Sequence, residues 1–111
     1  MNAIMSALAE PNRLHIVELL RRGPLSVGEI ADRLELVQPQ ASKHLRVLSE
    51  AGLVEVHAVA NRRIYKLRAR PFQELNRWLD DYRRMWEERF DQLDDYLKEL
   101  QSKQANPDNE N

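Results

Sequence analysis

The chain of 111 residues contains no cysteine. Disulfide bonds, zinc sites built from thiolates, iron–sulfur clusters and cysteine nucleophiles are therefore all excluded. Long apolar runs are also missing, since no stretch approaches the roughly 20 apolar residues of a membrane-spanning helix. The first residues lack the basic region and the apolar run of a signal peptide. These absences favour a soluble protein of the cytoplasm with no membrane partner.

A clear excess of one charge is missing too, because the formal net charge is only −1. The charges are nevertheless distributed unevenly. Residues 1–70 carry a net charge of +4, whereas residues 71–111 carry −5. Between residues 38 and 70, seven basic residues stand against two acidic ones. A basic middle and an acidic end indicate that one surface meets a polyanion while another has a different task.

Glycine is scarce, and the three glycines and five prolines punctuate the chain. Together with apolar residues at helical spacing, they predict helices over about residues 2–9, 11–22, 27–34 and 38–51. Ser26, followed three residues later by Glu29, is the capping-box pattern for the third helix. Only about three residues join the third and fourth helices. Such a short link makes the two helices cross steeply, which is typical of a helix-turn-helix.

After Gly52 the hydrophobic period changes from near 3.6 to 2. This predicts a β-hairpin with strands over residues 53–59 and 63–67 and a basic turn at Arg62 and Arg63. Pro71 opens a last helix over about residues 72–102, a rod of roughly 45 Å. The polar residues 104–111 predict a disordered tail. The expected fold is therefore mainly α with a small β-hairpin, in one domain over residues 1–103.

The fourth helix and the basic turn have the residue types of a DNA-reading unit. An α-helix fits the major groove of B-DNA, where side chains near its N-terminal end reach base edges. Glutamine can bond bidentately to adenine, and lysine or arginine can bond guanine or phosphate. For any one residue alone, a solvated face is an equally good interpretation. The combination predicts DNA contacts by Gln38, Gln40, Ser42, Lys43, His44, Arg46, Arg62 and Arg63.

The segment QPQASKHLRVLSEAGLV at residues 38–54, followed by NRRIYKL, resembles the winged-helix repressors of the ArsR family. The similarity covers about residues 4–67. It implies a winged helix-turn-helix fold and a homodimer that binds a palindromic, inverted-repeat operator in double-stranded DNA and usually represses its own operon. Matching the family pattern carries DNA contact to Gln38, Gln40, Ser42, Lys43 and His44, with Arg62 and Arg63 on the wing.

Two positions depart from the family pattern. Val37 stands where many members place a Ser or Thr cap, at a cost of about 1 kcal/mol of local helix stability. Its side chain can instead touch a thymine methyl group. Metal-sensing members carry Cys-x-Cys where this chain has Ser26 and Gly28. A thiolate sensor site is therefore absent.

No catalytic set can be assembled from the remaining residues. Ser42 and His44 are two apart on a helix and do not face each other, so they form no nucleophile–base pair. The aspartates of the last helix lack a nearby histidine, which favours a solvated acidic face over a zinc site. We therefore expect no enzyme activity, no metal and no cofactor.

The last helix carries most of the chain's aromatic residues, and it is longer than a domain of about 70 residues is wide. We expect it to form the seam of a homodimer together with the first helix. The residues predicted for this seam are Ile4, Met5, Leu8, Leu75, Trp78, Leu79, Tyr82, Trp86, Phe90 and Leu93. Two alternatives remain open. One is a regulator released from DNA by a small molecule or a non-thiolate metal at the seam, and the other is a protein-interaction module that uses the aromatic helix.

Overall fold

The computed structural model describes residues 1–105, which contain five helices and three strands. Residues 106–111 of the predicted tail lie outside this range. The elements in chain order are α1 (Asn2–Leu8), α2 (Pro11–Leu20), β1 (Leu25–Ser26), α3 (Val27–Leu34), α4 (Gln38–Glu50), β2 (Val54–Val59), β3 (Arg62–Leu67) and α5 (Ala69–Ala105). The chain divides into two compact units, residues 1–75 and residues from 76 onward. The helix α5 begins in the first unit and makes up the described part of the second.

The core of the first unit confirms the predicted helix-turn-helix. Its largest fully buried side chains come from α2, α3, α4 and the residue before β2: Ile16, Ile30, Leu45, Leu48 and Leu53. The half-buried Phe72 and Leu75, from the first turns of α5, pack against the same cluster. Since α3 and α4 both bury their apolar stripes here, their outer faces are left to solvent.

The helix ends follow the local chemistry of the chain. The predicted capping box is present: the Glu29 backbone N–H donates to Ser26 Oγ, and Glu29 Oε1 accepts from the Ser26 backbone N–H, both at 3.2 Å. The three-residue link to α4 begins with Glu35 at the C-terminal cap of α3, in the left-handed region at φ 56°. The helix α4 then starts after Val37, whose side chain makes no capping hydrogen bond.

The sheet is larger than the predicted hairpin. Its strand order is β1-β3-β2, with antiparallel pairing throughout. The strand β1 was not predicted, because two residues show no period-2 alternation. It pairs Leu25 with Tyr65 and Ser26 with Ile64. The segment that leads into α3 is therefore joined directly to the wing formed by β2 and β3.

Two helices have bounds that differ from the predicted ones. The helix α2 ends at Leu20 rather than near residue 22, and α5 starts at Ala69 and runs to Ala105. Pro71 lies in the first turn of α5, where backbone N–H groups have no partner within the helix, so a proline is tolerated there. The helix also includes the first two residues of the predicted tail. Within residues 1–105, none of the helices carries an apolar stretch long enough to cross a bilayer.

Candidate nucleic-acid interface

The outer face of α4 carries most of the predicted DNA contacts. The opposite face is anchored by Ala41, Leu45 and Leu48, each 0% exposed. This anchoring fixes the rotation of the helix about its axis. The predicted contacts that it leaves exposed are Gln38, Gln40, Ser42, Lys43 and Arg46. A polar, partly basic face is therefore presented to solvent along the first two and a half turns of the helix.

His44 is the one predicted contact on α4 that is not exposed. Its side chain is 18% exposed, and its Nδ1 lies 3.7 Å from Glu10 Oε2. Glu10 is the N-cap of α2, and its Oε2 also accepts from the Arg13 backbone N–H at 2.9 Å. Among the described residues, the buried His44 Nδ1 has no hydrogen-bond partner. The imidazole thus lies against the start of α2.

Val37, just before α4, is 63% exposed. It adjoins Gln38 in the sequence, and Gln40 follows in the first turn of the helix. An apolar group is therefore held at the N-terminal end of α4, where the expected contact with a base edge is made.

The wing tip is tied to the start of α3 by Arg62. Its Nη2 donates to Glu29 Oε1 at 2.9 Å and to Ser26 Oγ at 3.0 Å. The two acceptor residues are those of the capping box. Local sequence patterns predict the capping box and the basic turn separately, but the hydrogen bonds between them join positions 33 and 36 residues apart. No local pattern signals such a contact.

These bonds keep Glu29 in its charged form. The hydrogen bond from the Ser26 backbone N–H is the largest cause that holds the pKa of the Glu29 carboxyl below its ordinary value. The Ser26 side chain adds to this effect, burial opposes it, and the positive charges of Arg62 and Arg33 lower the pKa further. A charged carboxylate therefore stands beside the basic wing tip.

Arg63 differs from its neighbour Arg62. It is exposed and makes no ion pair with any carboxylate in residues 1–105. A groove of about 530 Å³ runs between the wing tip, α3 and the first turn of α4. Its lining residues are Ser26, Val27, Gly28, Glu29, Asp32, Gln38, Asn61, Arg62 and Arg63. The wing and the N-terminal end of α4 thus border one surface, as contact with a single duplex requires.

The second unit presents a stripe of apolar side chains to solvent. Nine large apolar residues, from Trp78 to Leu100, are between 39% and 61% exposed. Rings four residues apart pair along the helix, with centroids 4.8 Å apart for Trp78 and Tyr82 and 6.1 Å apart for Trp86 and Phe90. The full stripe is Trp78, Leu79, Tyr82, Trp86, Phe90, Leu93, Tyr96, Leu97 and Leu100.

The other residues predicted for the dimer seam are placed differently. Ile4 lies in the core of the first unit at 6% exposed, and Leu75 packs against that core. Met5 and Leu8 are half-buried on α1. No three His, Asp or Glu side chains come together as a metal site anywhere in the described part of the chain.

Comparison with protein families matches residues 8–57 to a helix-turn-helix domain. An HTH-type transcriptional regulator of Mycobacterium tuberculosis is 48% identical over 61 residues, which are 55% of this chain and 57% of the relative. The transcriptional repressor SdpR of Bacillus subtilis is 29% identical over 79 residues, 71% of this chain and 88% of the relative. The chain thus spans little more than half the length of the first of these relatives.

Solved structures extend the likeness. The crystal structure of an ArsR family transcriptional regulator superposes with a TM-score of 0.70 at 31% identity, covering 78% of this chain and 94% of the other. The homodimeric winged helix-turn-helix DNA-binding domain of a possible ArsR-family regulator of Mycobacterium bovis gives 0.61 at 31% identity, covering 72% and 78%.

Proposed function

Because the chain belongs to the ArsR family of winged helix-turn-helix transcriptional regulators, we propose that it is a homodimeric repressor that binds an inverted-repeat operator in double-stranded DNA. The observation that carries this proposal is the shared surface of α4 and the wing. Gln38, at the start of the exposed polar face of the helix, and Arg63 of the wing border one groove, away from the buried stripe. A helix and a wing on one side of a domain fit a major groove and the adjoining backbone or minor groove.

The proposed contacts divide by chemistry. Lys43, Arg46 and Arg63 supply salt-dependent phosphate affinity, because each cation that neutralises a phosphate releases counterions. Gln38, Gln40 and Ser42 carry the choice of sequence through base edges. The last two candidates, His44 and Arg62, each already lie beside a carboxylate of the same chain. They reach DNA only if they leave these partners.

The exposed stripe of α5 supports the homodimer, since a contiguous apolar surface of this kind marks an interaction site. A second copy of the chain offers the same stripe, and the relative from Mycobacterium bovis is homodimeric. A two-fold dimer presents two copies of α4, which enter successive major grooves about 34 Å apart. The dimerisation helix then carries more acidic than basic residues. The cytoplasm is the expected compartment.

Selection of bound fragments from random DNA tests this proposal. We expect an enriched inverted repeat whose half-sites lie about one helical turn apart. Arg46→Ala should weaken binding to every sequence, whereas Gln40→Ala should relax the preference at one base position. Arg22→Ala removes a positive charge from a different groove, beside His15 and Glu18, and is the matched control. A pool without an enriched sequence would contradict the proposal.

Three further measurements, namely a salt series, capture of partners and addition of metal or cell extract, separate the two alternatives. A protein-interaction module shows no salt-dependent DNA binding and captures a partner other than itself through the stripe. A regulator released by an effector binds the selected operator and loses it when divalent metal or cell extract is added. A repressor that responds to neither keeps the operator in both conditions.

A further inference from the structure

We propose that Arg62 is a positioning residue of the wing rather than a ligand of DNA phosphate. It fastens the wing tip to the first turn of α3 and thereby sets where Arg63 stands relative to the N-terminal end of α4. The inference rests on the proposed DNA binding, because its purpose is the placement of Arg63 on a duplex.

The first observation is that the wing tip has no core of its own. The strand β1 pairs with β3 only at Tyr65 and Ile64, so it stops short of the tip. Residues 56–63 are all exposed. Within residues 1–105, the only side-chain hydrogen bonds from the tip to the helices are those of Arg62. Without them, only the backbone ladder of the hairpin would fix the direction of the tip.

The second observation is the geometry at the other end of the tie. One guanidinium nitrogen of Arg62 reaches a carboxylate oxygen and a hydroxyl oxygen that the capping box already holds in place. Ser26 is 5% exposed and belongs to β1, so it does not move independently of the sheet. Hydrogen bonds between charged groups are short and directional. Ser26 and Glu29 are therefore fixed in position, and their hydrogen bonds with Arg62 restrict the movement of the wing tip.

The two roles for Arg62 predict opposite effects of neutralising Glu29. If Arg62 were a phosphate ligand, Glu29 would compete with DNA for it. Removing the carboxylate charge would then release Arg62, reduce repulsion of the duplex, and tighten binding. If Arg62 positions the wing, removing the charge loosens the tip and weakens binding. The sign of the change decides between the roles.

The test uses the full chain and the selected operator, with affinity measured by fluorescence anisotropy over a series of salt concentrations. Glu29→Gln keeps an amide oxygen to accept from the Ser26 backbone N–H and removes only the charge. We expect Glu29→Gln and Arg62→Ala each to weaken binding about two- to fivefold, the factor of an exposed ion pair. The double variant should be no weaker than Arg62→Ala alone.

The salt dependence separates positioning from contact. Loss of one phosphate contact lowers the slope of log affinity against log salt by about 0.9. We expect this change for Arg63→Ala and an unaltered slope for Arg62→Ala. Tighter binding by Glu29→Gln, or a slope change for Arg62→Ala equal to that for Arg63→Ala, would overturn the proposal and make Arg62 a phosphate ligand.

A second measurement needs no DNA, so it distinguishes failure of this inference from failure of the proposed function. Hydrogen exchange of the backbone amides at residues 58–63 should be faster in both Glu29→Gln and Arg62→Ala than in the wild type. Thermal unfolding identifies any variant that is unfolded as a whole. Unchanged exchange at the tip would show that Arg62 does not hold it, whether or not the chain binds DNA.

Discussion

Val37 and His44 show how exposure changes the interpretation of single residues in the DNA-binding segment. Both were candidates for contact with bases. The structure leaves Val37 63% exposed at the start of α4 and turns His44, at 18%, towards Glu10. An exposed aliphatic side chain that also fails to cap its helix contributes little to the stability of the isolated protein. We therefore expect Val37 to contribute to DNA binding rather than to the stability of the free protein.

We predict that Val37 contacts a thymine methyl group. Replacing each thymine of the selected operator by uracil removes that methyl alone, and one position should lose about fourfold in affinity, the value of one buried methyl group. In Val37→Ser the same replacement should have no effect. The free energy of unfolding of Val37→Ser in urea should also be about 0.5–1 kcal/mol higher than that of the wild type, because serine caps the helix.

Val56→Ala is the matched control for Val37, since it shortens another exposed valine that lies on the wing. Its response to uracil at that position should equal the response of the wild type. Equal losses in wild type and Val37→Ser would show that the methyl group is read by another residue.

At the scale of helices and strands, local signals of the sequence were sufficient for most of the first unit. Punctuation by proline and glycine located α1 to α4, and the pattern at Ser26 and Glu29 located the start of α3. The strand β1 could not be predicted, because two residues show no periodicity and form a strand only by pairing with β3. The hydrogen bond from Arg62 to Glu29 could not be predicted either, since it joins residues that only tertiary folding brings together.

The turn between α3 and α4 offers a prediction about stability. Glu35 adopts φ 56°, where a side chain with a Cβ is strained. Glu35→Gly should relieve this strain and raise the free energy of unfolding in urea by about 0.5–1 kcal/mol. Asp32→Gly, on the exposed face of α3, should lower it by about 1 kcal/mol. A loss of stability in both variants would rule out strain at Glu35.

The capping box of α3 makes a prediction about pH. The pKa of Glu29 is held below its ordinary value of 4.5, chiefly by the Ser26 backbone N–H. Its carboxylate therefore adds stability above pH 4.5, and this contribution is lost as the pH falls through the lowered pKa. The stability difference between wild type and Glu29→Gln should be constant near neutral pH and shrink in acid.

Urea unfolding between about pH 3 and pH 7 measures that difference. Glu50→Gln, which also removes one negative charge from an exposed position, controls for the change in net charge. A difference that persists undiminished at the acid end of the range would contradict a role for the Glu29 charge.

At the scale of the whole molecule, the two units differ in charge and in exposed apolar surface: α4 and the wing are basic, and α5 carries the exposed apolar stripe. The basic residues concentrate in the part that contains α4 and the wing, while the chain after residue 70 is acidic. The sequence predicted this division and the apolar stripe of α5. It could not predict that Ile4 is buried in the core of the first unit, because burial of α1 depends on tertiary packing.

The stripe on α5 leads to the prediction that decides the oligomeric state. Phe90 is 61% exposed near its middle, so Phe90→Glu should introduce an uncompensated charge at the seam and convert dimers to monomers in sedimentation velocity. Operator affinity should fall with it, because a monomer engages only one half-site. Arg84 lies about 160° away around the helix from Tyr82 on the stripe, so Arg84→Glu changes charge without touching the seam and should leave the dimer intact. If Phe90→Glu remained dimeric, the stripe would not be the seam; if it became monomeric and kept full operator affinity, DNA binding would not depend on two-fold pairing.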